Sequence, residues 1–125
     1  MRKYKRSDFL KLPAGTIYSR LVPKHAPDTG DLMFGLFCKT SGGEYGNDWV
    51  EQDLIAEHGF PNDITDGVDA WQYVENLRDT FQDFETDLYC AGRDGLFDGD
   101  ELCLIVWSKP DVQKLIDYLT EAIND

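Results

Sequence analysis

TIYSRLVPKHAPDTGDLMFGLFCK, residues 16–39, contains two strand patterns and one short connection. Thr16 to Val22 is rich in β-branched and aromatic residues and alternates, with Ile17, Ser19 and Leu21 on one face and Tyr18, Arg20 and Val22 on the other. Leu32 to Lys39 is apolar on both faces until its end, the pattern of a central strand covered on both sides. Pro23 to Gly30 is too short for the crossover of a dozen or more residues that parallel neighbours require, so the two strands pair antiparallel.

Working outward, Asn47 to Ile55 alternates as a third strand, with Val50, Gln52 and Leu54 expected on the covered side. Upstream, Ser7 caps a short helix containing Phe9, Leu10 and Leu12, which Pro13-Ala14-Gly15 ends. Downstream, Ala56 to Gly67 is dense in Gly, Pro, Asn and Asp and reads as a long connection. Val68, Trp71, Val74, Leu77, Phe81 and Phe84 recur every three or four residues, predicting an amphipathic helix of four to five turns capped by Asp66. Thr86 to Ala91 reads as extended, Gly92 to Gly99 as a turn-rich loop and Leu102 to Trp107 as an apolar strand. A final helix opens at Ser108, with Pro110 in its first turn and Asp111 at N3. Its stripe of Val112, Leu115, Ile116, Leu119 and Ile123 is expected to be buried.

The expectation is an α+β fold in one domain spanning residues 1–125. A mainly antiparallel sheet of four to five strands would pack with two longer helices and the short N-terminal helix, leaving residues 1–6 as a flexible basic arm. A chain of 125 residues with 42% hydrophobic and 13% aromatic content can bury a real core without metal or disulfide staples.

The charge is sorted along the chain. Residues 1–25 carry Arg2, Lys3, Lys5, Arg6, Lys11, Arg20 and Lys24 against Asp8 alone, and the remainder is strongly acidic, for a formal net charge of −12. Such a surface repels nucleic acid and anionic membrane and attracts basic partners. The three cysteines, Cys38, Cys90 and Cys103, are widely spaced among apolar neighbours and read as reduced core residues. No export signal follows the basic start, and Leu32 to Cys38, the longest apolar stretch, is far short of a membrane span. These features lead us to expect a cytoplasmic protein without membrane contact.

Few patterns specify chemistry. Placing Asp94 at position 1 of a calcium loop puts Asp98 at 5, Gly99 at 6 and Asp100 at 7, but Ile105 stands where the bidentate glutamate belongs. Asp94, Asp98 and Asp100 are therefore weak metal candidates, and a tight acidic turn from Arg93 through Glu101 is the preferred reading. His25 and His58 lie in separate loops without a Cys-x-x-Cys, so no zinc pattern exists. Cys38 beside Lys39 is the best thiol nucleophile available, although its setting among Phe34, Leu36 and Phe37 is that of a core residue. No glycine-rich phosphate loop is present. No cofactor is called for and the chain reads as non-enzymatic.

The acidic helix says more. Glu75, Asp79 and Asp83 recur every four residues and would form one row, which Glu85 and Asp87 extend past the helix end, where the macrodipole disfavours anions. Helix stability does not ask for that pattern. A solvated face that promotes solubility accounts for it, and so does an acidic surface shaped to occupy a basic groove.

Two further segments, Phe9-Leu10-Lys11-Leu12-Pro13-Ala14-Gly15-Thr16-Ile17-Tyr18 and Arg93-Asp94-Gly95-Leu96-Phe97-Asp98, resemble small uncharacterised proteins encoded by bacteriophages and prophages. Asn47-Asp48-Trp49 to Gln52-Asp53-Leu54 is similar in style, so about a third of the chain takes part. The resemblance implies a phage-type origin and a structural or binding role for the Arg93 to Asp98 turn; it implies no catalytic residues. The leading expectation is a non-enzymatic acidic protein that binds a basic host protein, inhibiting a nucleic-acid-handling or defence system. The interface would use Glu75, Asp79, Asp83, Glu85 and Asp87, with the turn of Arg93, Asp94, Asp98, Asp100 and Glu101. A metal-dependent protein or enzyme using the Asp94 to Glu101 loop and a virion assembly protein are the alternatives, and the oligomeric state is open.

Overall fold

The strands read from residues 16–39 do pair antiparallel, and they form the centre of one sheet. The computed structural model describes residues 1–22, 30–42, 48–57, 59–61, 63–64, 66–88, 91–93 and 103–124. In chain order these form β1 (Arg2–Lys5), α1 (Arg6–Phe9), β2 (Ile17–Leu21), β3 (Met33–Gly42), β4 (Trp49–Asp53), α2 (Gly67–Asp79), β5 (Ala91–Arg93), β6 (Cys103–Val106) and α3 (Lys109–Ile123). The sheet runs β1-β6-β2-β3-β4-β5 with every neighbour antiparallel. The fold is α+β.

β2 and β3 register Tyr18 against Phe37, and β6 enters on the other side of β2 with Val106 against Tyr18. A bulge falls between Tyr18 and Arg20, opposite Gly35. Gly35 has φ +72°, and a Cβ there would overlap the Phe37 ring, so only glycine lets the bulge and the ring coexist.

One face of the sheet carries the core. Phe9 from α1, Tyr18, Phe37, Trp49 and Leu104 are all buried, with Tyr4, Leu10, Leu12 and Val106 packed at the margin. The Phe9 ring lies 4.6 Å from Tyr18 and 4.7 Å from Trp49, in the tilted and edge-on geometries that aromatic quadrupoles favour. Lys39 reaches across this face and is almost wholly buried. Its Nζ donates to the carbonyls of Phe9, Leu10 and Leu12 at 3.2, 3.1 and 2.7 Å, satisfying the end of a helix too short to satisfy itself. Burial pulls the Lys39 pKa below its ordinary value.

Four expectations change. Residues 2–5 are not a flexible arm but an edge strand, Arg2 against Val106 and Lys5 against Cys103; this raises the sheet to six strands. On β4 the buried side is Trp49 and Asp53, with Val50 and Gln52 on the opposite, half-buried face, because Phe9 and Tyr18 supply the aromatic surface that Trp49 completes. α2 stops at Asp79, where Thr80 turns extended at φ −129° and ψ 158° and its hydroxyl donates back to the Asn76 carbonyl at 3.0 Å. Phe81 and Phe84 therefore leave the helical stripe. Finally, among the described residues none on α2 or α3 is fully buried: Val74, Leu77, Val112 and Leu115 are half-buried, while Val68, Trp71, Ile116, Leu119 and Ile123 are exposed, so the expected stripes are only partly covered.

Candidate protein-interaction groove

α2 begins where Asp66 accepts a hydrogen bond from the Asp69 amide at 2.8 Å, as the sequence indicates. Tyr73, Val74 and Leu77 stand on its half-buried side, while Val68 and Trp71 are exposed. The chain then leaves Thr80 extended and runs past the same helix: the Tyr73 hydroxyl donates to the Glu85 carbonyl at 2.8 Å, and the Asp87 amide donates to the Gly59 carbonyl at 2.7 Å. Gly59 is buried, and a Cβ on it would come within 2.5 Å of the Asp87 carbonyl oxygen, so the approach of these two segments depends on that glycine. Gln52 ties the end of the run to the sheet, its Nε2 donating to the Leu88 carbonyl at 3.0 Å.

Between α2, residues 80–85 and the connection before the helix lies a groove of about 340 Å³. Its apolar lining is Pro61, Ile64, Tyr73, Leu77 and Phe84; its charged lining is Asp63, Asp83 and Glu85. A smaller hollow of about 160 Å³ shares Tyr73, Leu77 and Phe84 as its wall and adds Glu57, Phe60 and Val74. The Phe60 ring meets Tyr73 edge-on at 5.9 Å. Among the described residues, every charged one lining the two hollows is thus an acid. Of the aromatic rings lining the groove, Phe84 is 57% exposed, and elsewhere on the surface Trp71 is 65% exposed and Phe81 stands wholly in solvent.

The acidic residues singled out from sequence are redistributed by the break at Thr80. Glu75 and Asp79 remain on α2, with Glu75 held by Arg78 at 2.8 Å, while Asp83 and Glu85 move to the groove wall. The continuous row of Glu75, Asp79 and Asp83 does not exist. Asp87 follows, half-buried, at the Gly59 contact. Arg93 belongs to β5, registered against Val50; Asp94, Asp98, Asp100 and Glu101 lie outside the described residues. Asp63 and Tyr73 are groove residues that periodicity missed, and for Asp63 the density of Gly, Pro, Asn and Asp in the long connection was the available signal.

A second polar constellation is closed. On the core face, Arg20 Nη2 stands 2.9 Å from both oxygens of Glu51, the Tyr18 hydroxyl donates to the same carboxylate, and Trp49 Nε1 donates to Tyr18 at 2.8 Å. Burial, reinforced by the neighbouring Glu51 charge, drives the Tyr18 pKa well above its ordinary value. The Arg20 guanidinium also lies over the Phe37 ring at 4.3 Å. With Tyr18 fully buried and the Arg20 and Glu51 side chains only 14% and 12% exposed, this network ties β2 to β4 across β3. Among the described residues no buried side-chain polar atom lacks a partner.

Cys38 and Cys103 are free and half-buried. Cys38 and Lys39 point to opposite faces of β3, so the lysine cannot activate that thiol. Among the described residues no group of three or more His, Cys, Asp or Glu is placed to hold a metal ion, and no helix is long and apolar enough to cross a membrane. Comparison with protein-family models, with curated proteins and with solved structures gives no match, so the geometry of the groove stands as the guide to function.

Proposed function

We propose that the protein is a non-enzymatic binding protein of phage type that engages a basic host protein through the groove between α2 and residues 80–85. The observation that carries this reading is the lining itself: Asp63, Asp83, Glu85 and the neighbouring Glu57 are acids, and among the described residues no lysine or arginine lines the two hollows. Tyr73, Leu77 and Phe84 supply an apolar floor. The fitting ligand is a segment that carries lysine or arginine around one or two apolar anchors, as in the surface of a nucleic-acid-handling or defence protein. The net charge of −12 steers such a partner in and turns nucleic acid away. The setting of this encounter is the host cytoplasm.

The test compares retention of host-extract proteins by the wild-type chain and by Asp63→Lys/Asp83→Lys/Glu85→Lys. The expected result is a protein retained by the wild type at low salt, released at about 0.3 M salt where charge interactions are screened beyond ~6 Å, and absent from the triple variant. Direct titration of that purified protein should then show at least a tenfold loss of affinity in the triple variant. Identical retention by both chains would sink the proposal.

A further inference from the structure

α3 presents a second uncovered surface of different character. Ile116, Leu119 and Ile123 are 48%, 58% and 83% exposed, on the stripe that Val112 and Leu115 begin. At 3.6 residues per turn, Tyr118 and Ala122 flank this stripe on one side and Gln113 and Thr120 on the other. None of the four is charged. Lys114, Asp117 and Glu121 all fall on the opposite face, where Gln113 donates to Asp117 at 2.8 Å. Only the first turn brings charge near the stripe: Lys109 is exposed at its edge, and Asp111 is held by the Met1 amine and Ser108. In a chain with 24 acidic residues, a helix keeping three quarters of its length free of charge on one side is prepared for an apolar neighbour.

That border decides the occupant. A basic partner gains nothing from a face without carboxylates, so the groove ligand is not selected here. An uncharged apolar stripe is matched by another of its kind, and every copy of the chain carries one. We infer that α3 pairs with α3 of a second copy, antiparallel about a two-fold axis near the middle of the stripe. Val112 then faces Ile123 and Ile116 faces Leu119, each pair occurring twice as an isologous interface requires. The antiparallel sense opposes the helix dipoles, whereas a parallel pair would set both negative poles side by side. A helix of 15 residues is about 22 Å long, and two such helices bury on the order of 800–1,000 Å². This falls below the usual range for stable complexes, so the dimer forms and dissociates readily, and two chains of net charge −12 repel until salt screens them.

Sedimentation equilibrium on the full chain tests this. The expected result is a monomer–dimer equilibrium with a dissociation constant on the order of 10–100 µM, tightening severalfold as salt rises from about 50 to about 500 mM. Salt therefore moves this association and the groove binding in opposite directions. Leu119→Asp should abolish the dimer with the circular dichroism spectrum unchanged. Ile123→Lys, at a fully solvated position, and Val112→Glu should each weaken it at least tenfold, and an equimolar mixture of those two variants should recover it, because only antiparallel pairing sets position 112 against 123. A chain that remains monomeric to about 0.5 mM, a dimer indifferent to Leu119→Asp and Ile123→Lys, or a mixture that fails to recover would each overturn the inference.

Discussion

The face of the sheet under α1 and the outer surfaces of α2 and α3 are built from similar residues to opposite ends. Trp49 on the sheet is 1% exposed, packed on Phe9 and hydrogen-bonded to Tyr18, whereas Trp71 on α2 is 65% exposed. Around the first, even a lysine and an arginine–glutamate pair are enclosed with their partners. Around the second, aromatic rings and acids are left to solvent. Aromatic residues in this chain thus stand in two settings, a closed core and an open surface, and only the neighbours of each ring decide which.

The comparison can be broken by trading the two tryptophans. Trp49→Ala should cost about 3–5 kcal/mol, the range for a large aromatic removed from a core, and Trp71→Ala should change stability by no more than about 0.5 kcal/mol. Urea unfolding measures both, and equal effects would mean that α2 is part of the stability-bearing unit. Lys39→Met sharpens the same contrast. It keeps the buried stem but strands the carbonyls of Phe9, Leu10 and Leu12, so a loss of about 2–4 kcal/mol is expected. Charge removal at the exposed Lys114 should have no measurable effect on stability.

Smaller, and confined to the helix end, is a pH effect at Asp111. Hydrogen bonds from the Met1 amine first, then from the Ser108 hydroxyl and amide, hold its pKa down to about 2 from an ordinary 3.8. Its folded pKa is depressed, so its contribution is fully present above pH 4 and fades as pH falls toward 2. Amide exchange in the first turn of α3 should quicken across that window while exchange in β2 and β3 lags behind. Asp111→Asn should remove the dependence. Uniform quickening through sheet and helix would show that the two regions are a single cooperative unit.

Much of this architecture was legible locally. The alternation of Ile17, Ser19 and Leu21 against Tyr18 and Arg20, the apolar β3 and the caps at Asp66 and Ser108 all depend on neighbours within a few residues. β1 was hidden because an edge strand tolerates lysine and arginine on its open side, and Arg2, Lys3 and Lys5 disguise the single apolar Tyr4. The end of α2 was hidden because Phe81 and Phe84 continue the helical spacing by coincidence past a threonine that turns the chain. Of the five acids read as one surface, Asp83 and Glu85 line the groove, and they reach it through the extended run rather than through a helical row. Lys39 was read as a strand end because hydropathy counts its charge against burial and cannot foresee three carbonyls waiting for it.

The sequence by itself determined periodicity, capping and the antiparallel pairing of neighbouring strands, since steric alternation and short connections act within a few residues. Tertiary structure alone decided which face of β4 is buried, where Arg20 and Lys39 find their partners, and that α2 and α3 turn apolar surface outward. Those outcomes depend on contacts between residues thirty or more positions apart, such as Tyr18 with Glu51 and Trp49, Arg20 with Glu51, and Lys39 with Phe9. A stripe of hydrophobic residues fixes the direction in which a helix seeks cover; whether its own sheet or a second molecule supplies that cover is settled by the three-dimensional arrangement of the rest of the chain.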